Sequence, residues 1–182
     1  MHKRTAVAVL LVCGLAIAVL VLGSYAMAGD GKTSVKADPL TGYQEATPAG
    51  VSSAGTGSFS ATIDDDASTI SFELTYSGLT TPASQAHPHF GNRFTSGGVS
   101  AFFCGGGGKP ACPPGTSDEA VVTGTIVPSD VIGPAGQGIA AGEFGELVDA
   151  IRAGVTYVNV HNATFPAGEI RGQINDDDQR QP

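Results

Sequence analysis

Three histidines carry the chemistry that this sequence suggests most directly. His87 and His89 are separated by Pro88, and His161 follows much later in the chain. In an extended segment, residues two apart point to the same side, so the first two imidazoles can face one point. A third imidazole from His161 would complete a set of three nitrogens with an open position, which suits copper or zinc in an oxidising compartment. The sequence therefore predicts a candidate metal site at these three histidines.

The polar residues near His161 allow two interpretations. Alternation along the closing strands places Asn159 and His161 on the same side as Glu169, Arg171 and Gln173. Glu169 could orient an imidazole, as metal-binding histidines usually require. Glu169 and Arg171 could equally form a structural ion pair, and the polar residues would then be a hydrogen-bonded network that locks the closing hairpin. Both interpretations stay open at the level of the sequence.

Two cysteines, Cys104 and Cys112, flank the short segment GGGGKPA. An isolated pair this close in sequence is expected to form a local disulfide in an oxidising compartment. The bond would hold in place a glycine-rich loop that has little order of its own. A metal site formed by the two thiols is the rival interpretation, and the absence of nearby histidines weakens it.

The N-terminus has the layout of a signal peptide. His2, Lys3 and Arg4 precede a stretch at 5–23 without a charged side chain, and small residues at Ala26 and Ala28 suit a signal peptidase. We therefore predict a signal peptide at 1–28 and a secreted or periplasmic protein. The apolar stretch approaches the length of a membrane span, so an uncleaved N-terminal anchor is the alternative.

The rest of the chain is one acidic domain. Without residues 1–28 the net charge moves from −8 to −10, since only Lys3 and Arg4 are lost. Such a charge repels phosphate backbones and anionic lipid headgroups, so we expect neither a nucleic-acid partner nor membrane binding after signal cleavage. The expected partner is an unknown extracytoplasmic protein or a small ligand.

Most of the domain consists of short stretches in which apolar and polar residues alternate, and Gly, Pro and Asp separate these stretches. This pattern predicts an all-β fold, a Greek-key-like β-sandwich of about seven to nine short strands. We expect a linker at 29–39, the domain at 40–175 and a polar tail at 176–182. Apolar residues at helical spacing predict one short amphipathic helix near 143–153. The expected strands form a hairpin at 57–76 and further strands around 85–90, 98–104, 120–127, 155–162 and 169–174.

Seven short segments carry a family resemblance. They are GYQE at 42–45, YSGL at 76–79, AHPHFG at 86–91, FCGG at 103–106, IRAG at 151–154, YVNVH at 157–161 and FPAGEIRGQI at 165–174. In this order they resemble the CHRD (chordin-type) domain family, in its single-domain microbial secreted type. The resemblance implies a β-rich extracellular module whose biochemical activity is not established. His87, His89 and His161 all lie within these segments.

Pro88 departs from the family pattern, which has an apolar β-branched residue between the two histidines. Proline lacks a backbone donor, so this segment must be an edge strand or the start of a strand. The His-x-His strand also resembles the copper strand of copper/zinc superoxide dismutases, but three histidines are too few for their two metals. We therefore predict a non-catalytic binding or structural module, with a copper or zinc protein as the alternative. No certain cofactor and no catalytic residue are expected.

Overall fold

The computed structural model describes residues 31–47 and 49–176, so the predicted signal peptide and most of the predicted polar tail lie outside the described residues. The described part is almost entirely β-structure with one helix, which confirms the predicted fold class. Along the chain, helix α1 (Phe144–Arg152) lies between β6 and β7. The strands are β1 (Lys32–Thr41), β2 (Thr56–Asp64), β3 (Thr69–Ser77), β4 (Ala83–Phe90), β5 (Gly98–Val99), β6 (Ala120–Ile126), β7 (Thr156–Asn162), β8 (Ile170–Gln173) and β9 (Asn175–Asp176).

The strands form one curled antiparallel sheet in the order β5-β4-β7-β8-β1-β2-β3-β6, and β9 also pairs with β1. Its two halves face each other across an apolar core. Phe103, which follows β5, lies with its ring centroid 5.0 Å from Phe59 of β2 and 4.6 Å from Phe72 of β3. The inward residues of the hairpin alternate along β2 and β3 as predicted, because residues two apart share one face of a strand.

Strand β1 corrects the predicted linker at 29–39 and the predicted domain start at residue 40. It begins at Lys32 and pairs with β2 from Lys32 to Thr41, and it also pairs with β8 and β9. Val35 and Ala37 are buried in the core, at 4% and 1% exposure. The segment looked like a linker because its outward residues are polar and Asp38-Pro39 interrupts the alternation, where the register shifts. Strands far away in sequence hold it in place.

Helix α1 forms because its apolar residues repeat at helical spacing and all face the sheet. Phe144, Leu147, Val148 and Ile151 are buried, and the chain leaves the helix at Gly154, whose φ of +69° favours glycine. Arg152 donates to Asp65 Oδ2 over 2.7 Å and to Thr33 Oγ1 over 2.9 Å. These contacts hold the end of the helix against β1 and the β2–β3 turn. No helix in the described ranges has the length and apolar character needed to cross a membrane.

The outer side of β4 is only sparsely paired. The strand predicted at 98–104 is reduced to the two residues of β5 and a single bridge between Ala86 and Cys104. On this side Pro88 needs no donor, and its carbonyl accepts a hydrogen bond from the Ser100 N–H over 2.9 Å. The sequence predicted an edge strand or the start of a strand, but Pro88 lies inside β4, the second strand of the sheet. It is tolerated there because the pairing on this side of β4 is sparse.

Candidate functional site

The predicted polar residues of β4, β7 and β8 lie together on the side of the sheet away from the core. Asn159 of β7 pairs with His87 of β4 on one side and with Arg171 of β8 on the other. Every residue of β7 and β8 is buried, because loops cover this polar side as well. The site is therefore an interior polar layer.

Within this layer the three predicted histidines meet. His87, His89 and His161 are 4%, 8% and 8% exposed. The ring centroid of His87 lies 4.6 Å from that of His89 and 4.4 Å from that of His161, and the other two centroids are 5.8 Å apart. One possible ligand atom from each residue lies within 4.8 Å of the other two. Spacing along β4 and pairing with β7 bring them together, as the sequence predicted.

Backbone carbonyls fix the orientation of two of the rings. Nδ1 of His89 lies 2.8 Å from Gly97 O, and Nδ1 of His161 lies 3.2 Å from Pro166 O. A carbonyl oxygen only accepts hydrogen bonds, so each Nδ1 carries the proton and each Nε2 keeps its lone pair. Both Nε2 atoms, together with Nδ1 of His87, are buried and have no hydrogen-bond partner. Three buried nitrogens are therefore left without a protein partner.

Burial keeps these imidazoles neutral. Burial, together with smaller contributions from the neighbouring His161 and His89, lowers the pKa of His87 to about 2. Burial also lowers the pKa of His89 to about 4, although the hydrogen bond to Gly97 acts in the opposite direction. The pKa of His161 is lowered mainly by burial as well. Neutral imidazole is the form that binds a metal ion, so the site is in its binding form at neutral pH.

Phe102 covers one side of the cluster, and the sequence analysis did not single it out. Its ring meets that of His87 edge-on, at a centroid distance of 5.1 Å. The Cys104–Cys112 disulfide, predicted from the spacing, closes the glycine loop beside it. A Cβ at Gly106 or Gly107 would lie 2.3 Å or 2.8 Å from the Phe102 ring. The glycines thus allow the loop to lie directly on this ring.

Tyr157 and Arg171 extend the histidine cluster outward from His89. The Tyr157 ring stacks on that of His89 with a centroid distance of 4.7 Å and an angle of 3°. The Arg171 guanidinium carbon lies 3.4 Å from the centroid of the same tyrosine ring, a cation–π contact. Arg171 also donates to Asn92 O and Thr95 O, over 2.9 Å and 2.8 Å. Through these contacts Arg171 joins the 91–97 loop to the histidine cluster.

Glu45 is a buried carboxylate of this layer. It belongs to the GYQE segment, and its sequence context alone predicted no role for it. Asn159 Nδ2 donates to Glu45 Oε2 over 3.4 Å, whereas Glu45 Oε1 and Asn159 Oδ1 have no partner. Burial raises the pKa of Glu45 to about 7, against the opposing effects of Arg171 and Asn159. Gly168 lies directly on this pair, because a Cβ there would be 2.3 Å from Asn159 Oδ1 and 2.7 Å from Glu45 Oε1.

The contacts of Glu169 differ from two of the roles predicted for it, the orienting of an imidazole and the ion pair with Arg171. Its carboxylate accepts hydrogen bonds from Thr80 N, at 3.0 and 3.1 Å, and from Thr80 Oγ1, at 2.8 Å, and it also contacts the Asn162 side chain. These contacts join the β3–β4 connection to the turn after β7. Glu169 therefore neither orients an imidazole nor pairs with Arg171. These contacts agree with the other prediction for Glu169, a hydrogen-bonded network that locks the closing hairpin.

The three imidazoles fit the requirements of a copper or zinc ion. Metal–nitrogen bonds near 2.0–2.1 Å require the ligand atoms to be about 3.4 Å apart, so each ring would have to move inward by less than about 1 Å. The donors are all nitrogens, and two of the rings are held by backbone carbonyls on their outer side, as metal-binding histidines usually are. Aromatic rings at 102 and 157 flank them.

A curled antiparallel β-sheet with a buried polar layer that includes three histidines defines an all-β module. The family model described as CHRD domain matches residues 37–174, and the chain belongs to this family. No curated protein matches the chain. No solved structure matches it either.

Proposed function

We propose that this CHRD domain is a non-catalytic, extracytoplasmic module that holds one copper or zinc ion through His87, His89 and His161. One observation carries the proposal: the three buried histidines place one ligand atom each within 4.8 Å of one another, and each ring has a buried nitrogen without a hydrogen-bond partner. Each such group left unpaired costs about 1–3 kcal/mol. A bound ion would satisfy all three at once.

The alternative role of the histidines, as members of a purely structural network, is less well supported by their contacts. The closing strands are already held by Arg171, by Glu169 and by Gln173, which donates to Gly91 O and Gly154 O over 3.1 and 2.8 Å. The inner nitrogens of the histidines add no hydrogen bond to this network. Metal binding gives these atoms a role.

An extracytoplasmic location is part of the proposal. CHRD domains are extracellular, and the Cys104–Cys112 disulfide fits a compartment in which disulfides persist. The predicted signal peptide at 1–28 and the secreted or periplasmic location agree with both. We also propose that the domain catalyses no reaction, and a copper/zinc superoxide dismutase activity in particular would need more ligands for its two metals than three imidazoles supply.

The test is a titration of the chelator-treated protein with zinc, and with copper, followed by isothermal calorimetry. We expect one ion per chain at micromolar affinity or tighter, and at least a 100-fold loss in His161→Ala. The control variant Asp66→Ala removes a carboxylate from the exposed β2–β3 turn and should leave the affinity unchanged. Binding that survives His161→Ala, or no binding at all, would contradict the proposal.

A second candidate function is recognition of an extracytoplasmic protein or small ligand by the loops. Phe94 is 67% exposed and has a φ of +63°, a strained conformation for a bulky residue that often marks a functional loop. Tyr43, 74% exposed, lies on the loop after β1. A hydrogen bond of 2.7 Å between Thr47 and Ser96 joins the two loops. Changing Phe94 and Tyr43 to Ala should leave metal affinity intact, and a loss would assign these loops to the metal site instead.

A further inference from the structure

The charge around the three imidazoles limits which ion suits them. Neutral imidazoles bring no negative charge, and among the described residues the metal-competent group contains neither a carboxylate nor a thiolate. An ion held there keeps its whole charge. The site is also buried, since its three rings are at most 8% exposed. The environment must therefore tolerate an uncompensated cation in a region of low dielectric.

Arg171 adds a permanent positive charge close by. It is 2% exposed, and only the Tyr157 ring separates its guanidinium from the His89 imidazole. Its hydrogen bonds to Asn92 O and Thr95 O hold it there, and both acceptors are carbonyl oxygens without a formal charge.

Glu45 is the nearby group that could balance Arg171. Its carboxylate acts on Arg171 electrostatically, but burial raises the pKa of Glu45 to about 7. Glu45 accepts its hydrogen bond from Asn159, and Arg171 donates to backbone carbonyls, so the two side chains form no direct ion pair that would neutralise the arginine charge. Glu169, the other buried carboxylate of this region, bonds to Thr80 and Asn162 instead.

These charges disfavour a divalent ion more than a monovalent one. Repulsion from Arg171 is proportional to the charge of the ion, so it is twice as large for Zn²⁺ as for Cu⁺. The cost of moving an ion out of water rises with the square of its charge. Both ions have a filled d shell and accept imidazole nitrogen, so ligand type and geometric preference do not separate them strongly.

We propose that the three-imidazole site selects monovalent copper over divalent zinc, and that Arg171 is the residue that sets this preference through its charge. The proposal rests on the function proposed above and names the ion. Tyr157 is the spacer that keeps the guanidinium close to His89 without letting it donate to the ring nitrogens. No electron transfer is part of the proposal.

The experiment measures two affinities on the full chain. Cu⁺ is titrated anaerobically against bicinchoninate with ascorbate as reductant, and Zn²⁺ is titrated against a zinc-sensitive chelating dye. We expect wild-type protein to bind Cu⁺ at least 1000-fold more tightly than Zn²⁺. In Arg171→Gln the ratio should fall at least tenfold, chiefly because zinc binds more tightly. Arg171→Lys keeps the charge and should keep most of the ratio. The matched control is Arg152→Gln, which removes the same charge from α1.

The outcomes separate this proposal from the one on which it rests. Zinc binding as tight as that of Cu⁺ in wild-type protein, or an unchanged ratio in folded Arg171→Gln, would overturn the selectivity and leave the metal site standing. Binding of either metal that persists in His161→Ala would refute the site itself. Circular dichroism shows whether Arg171→Gln folds. If it does not, the wild-type ratio and Arg171→Lys decide: a loss of the ratio in folded Arg171→Lys would also contradict the role of charge.

Discussion

At the scale of single residues, two buried glutamates of the same polar layer have different fates. Glu169 is fully buried and accepts hydrogen bonds on both of its oxygens. Glu45 is 4% exposed, and its Oε1 has no partner. The ionised form of Glu45 is therefore poorly stabilised, and its raised pKa near 7 follows from burial.

This difference predicts how Glu45→Gln changes stability with pH. The folded-state pKa of Glu45 is raised from 4.5 to about 7, so wild-type protein loses stability as the pH rises through this interval. The loss amounts to about 3 kcal/mol. Glutamine cannot ionise, so the variant should gain on wild type between pH 4.5 and pH 7.5. Urea unfolding at both pH values measures the gain, and Glu73→Gln, on the exposed side of β3, is the comparison. If the difference in unfolding free energy between Glu45→Gln and wild type were the same at both pH values, the prediction would be wrong.

The histidines could be predicted from the sequence and Glu45 could not, for a physical reason. His87 and His89 share a face because strand geometry repeats every two residues, which is local information. Glu45 reaches Asn159 of the same polar layer only because β1 pairs with β8, a contact between residues far apart in the chain. Glu169 was misassigned for the same reason, since its partner Thr80 lies on a connection that no local pattern places there.

At the scale of elements, the disulfide loop links local order to the site. Cys104 and Cys112 close a loop whose glycines lie on Phe102, and Phe102 contacts His87. The spacing of the cysteines predicted the bond. It did not predict the contact with Phe102, because a glycine run contains no information about which side chain it covers. The disulfide loop therefore contacts the histidine site through Phe102.

Replacing both cysteines by serine should therefore have two effects. The free energy of unfolding should fall by about 2.5 kcal/mol, since closing so short a loop limits the unfolded chain. Metal should also dissociate faster, because Phe102 is held less firmly against His87. Urea unfolding and stopped-flow release to a chelator measure the two effects. Phe102→Ala should reproduce the faster release with the disulfide intact. If the variant with both cysteines replaced released metal as slowly as wild type, the loop would have no influence on the metal site.

At the scale of the whole molecule, the interior histidines make the metal-free domain sensitive to acid. Their pKa values are lowered in the folded state, while in the unfolded chain they stay near 6.5. The unfolded state therefore binds more protons below pH 6.5, and stability is lost as the pH falls from there. Glu45 acts in the opposite direction over part of this range, so the histidine effect is clearest in Glu45→Gln.

In chelator-treated Glu45→Gln, the free energy of unfolding should fall by about 3 kcal/mol from pH 7.5 to pH 5.5, because His87 and His89 contribute about 1.4 kcal/mol each, and His161 acts in the same direction. Urea unfolding at the two pH values gives the difference. A bound ion should steepen the dependence, because protons compete with the metal for the same nitrogens. Stability that is unchanged or higher at pH 5.5 would show that the rings are not held neutral.

Strand β1 has a consequence for the order of events during synthesis. It lies in the interior of the sheet, paired with β2 on one side and with β8 and β9, the last strands described, on the other. A chain that emerges from its N-terminus must wait until β8 and β9 have been made before this gap closes. His161 likewise arrives long after His87 and His89. The three imidazoles can therefore meet only after β7 has been synthesised.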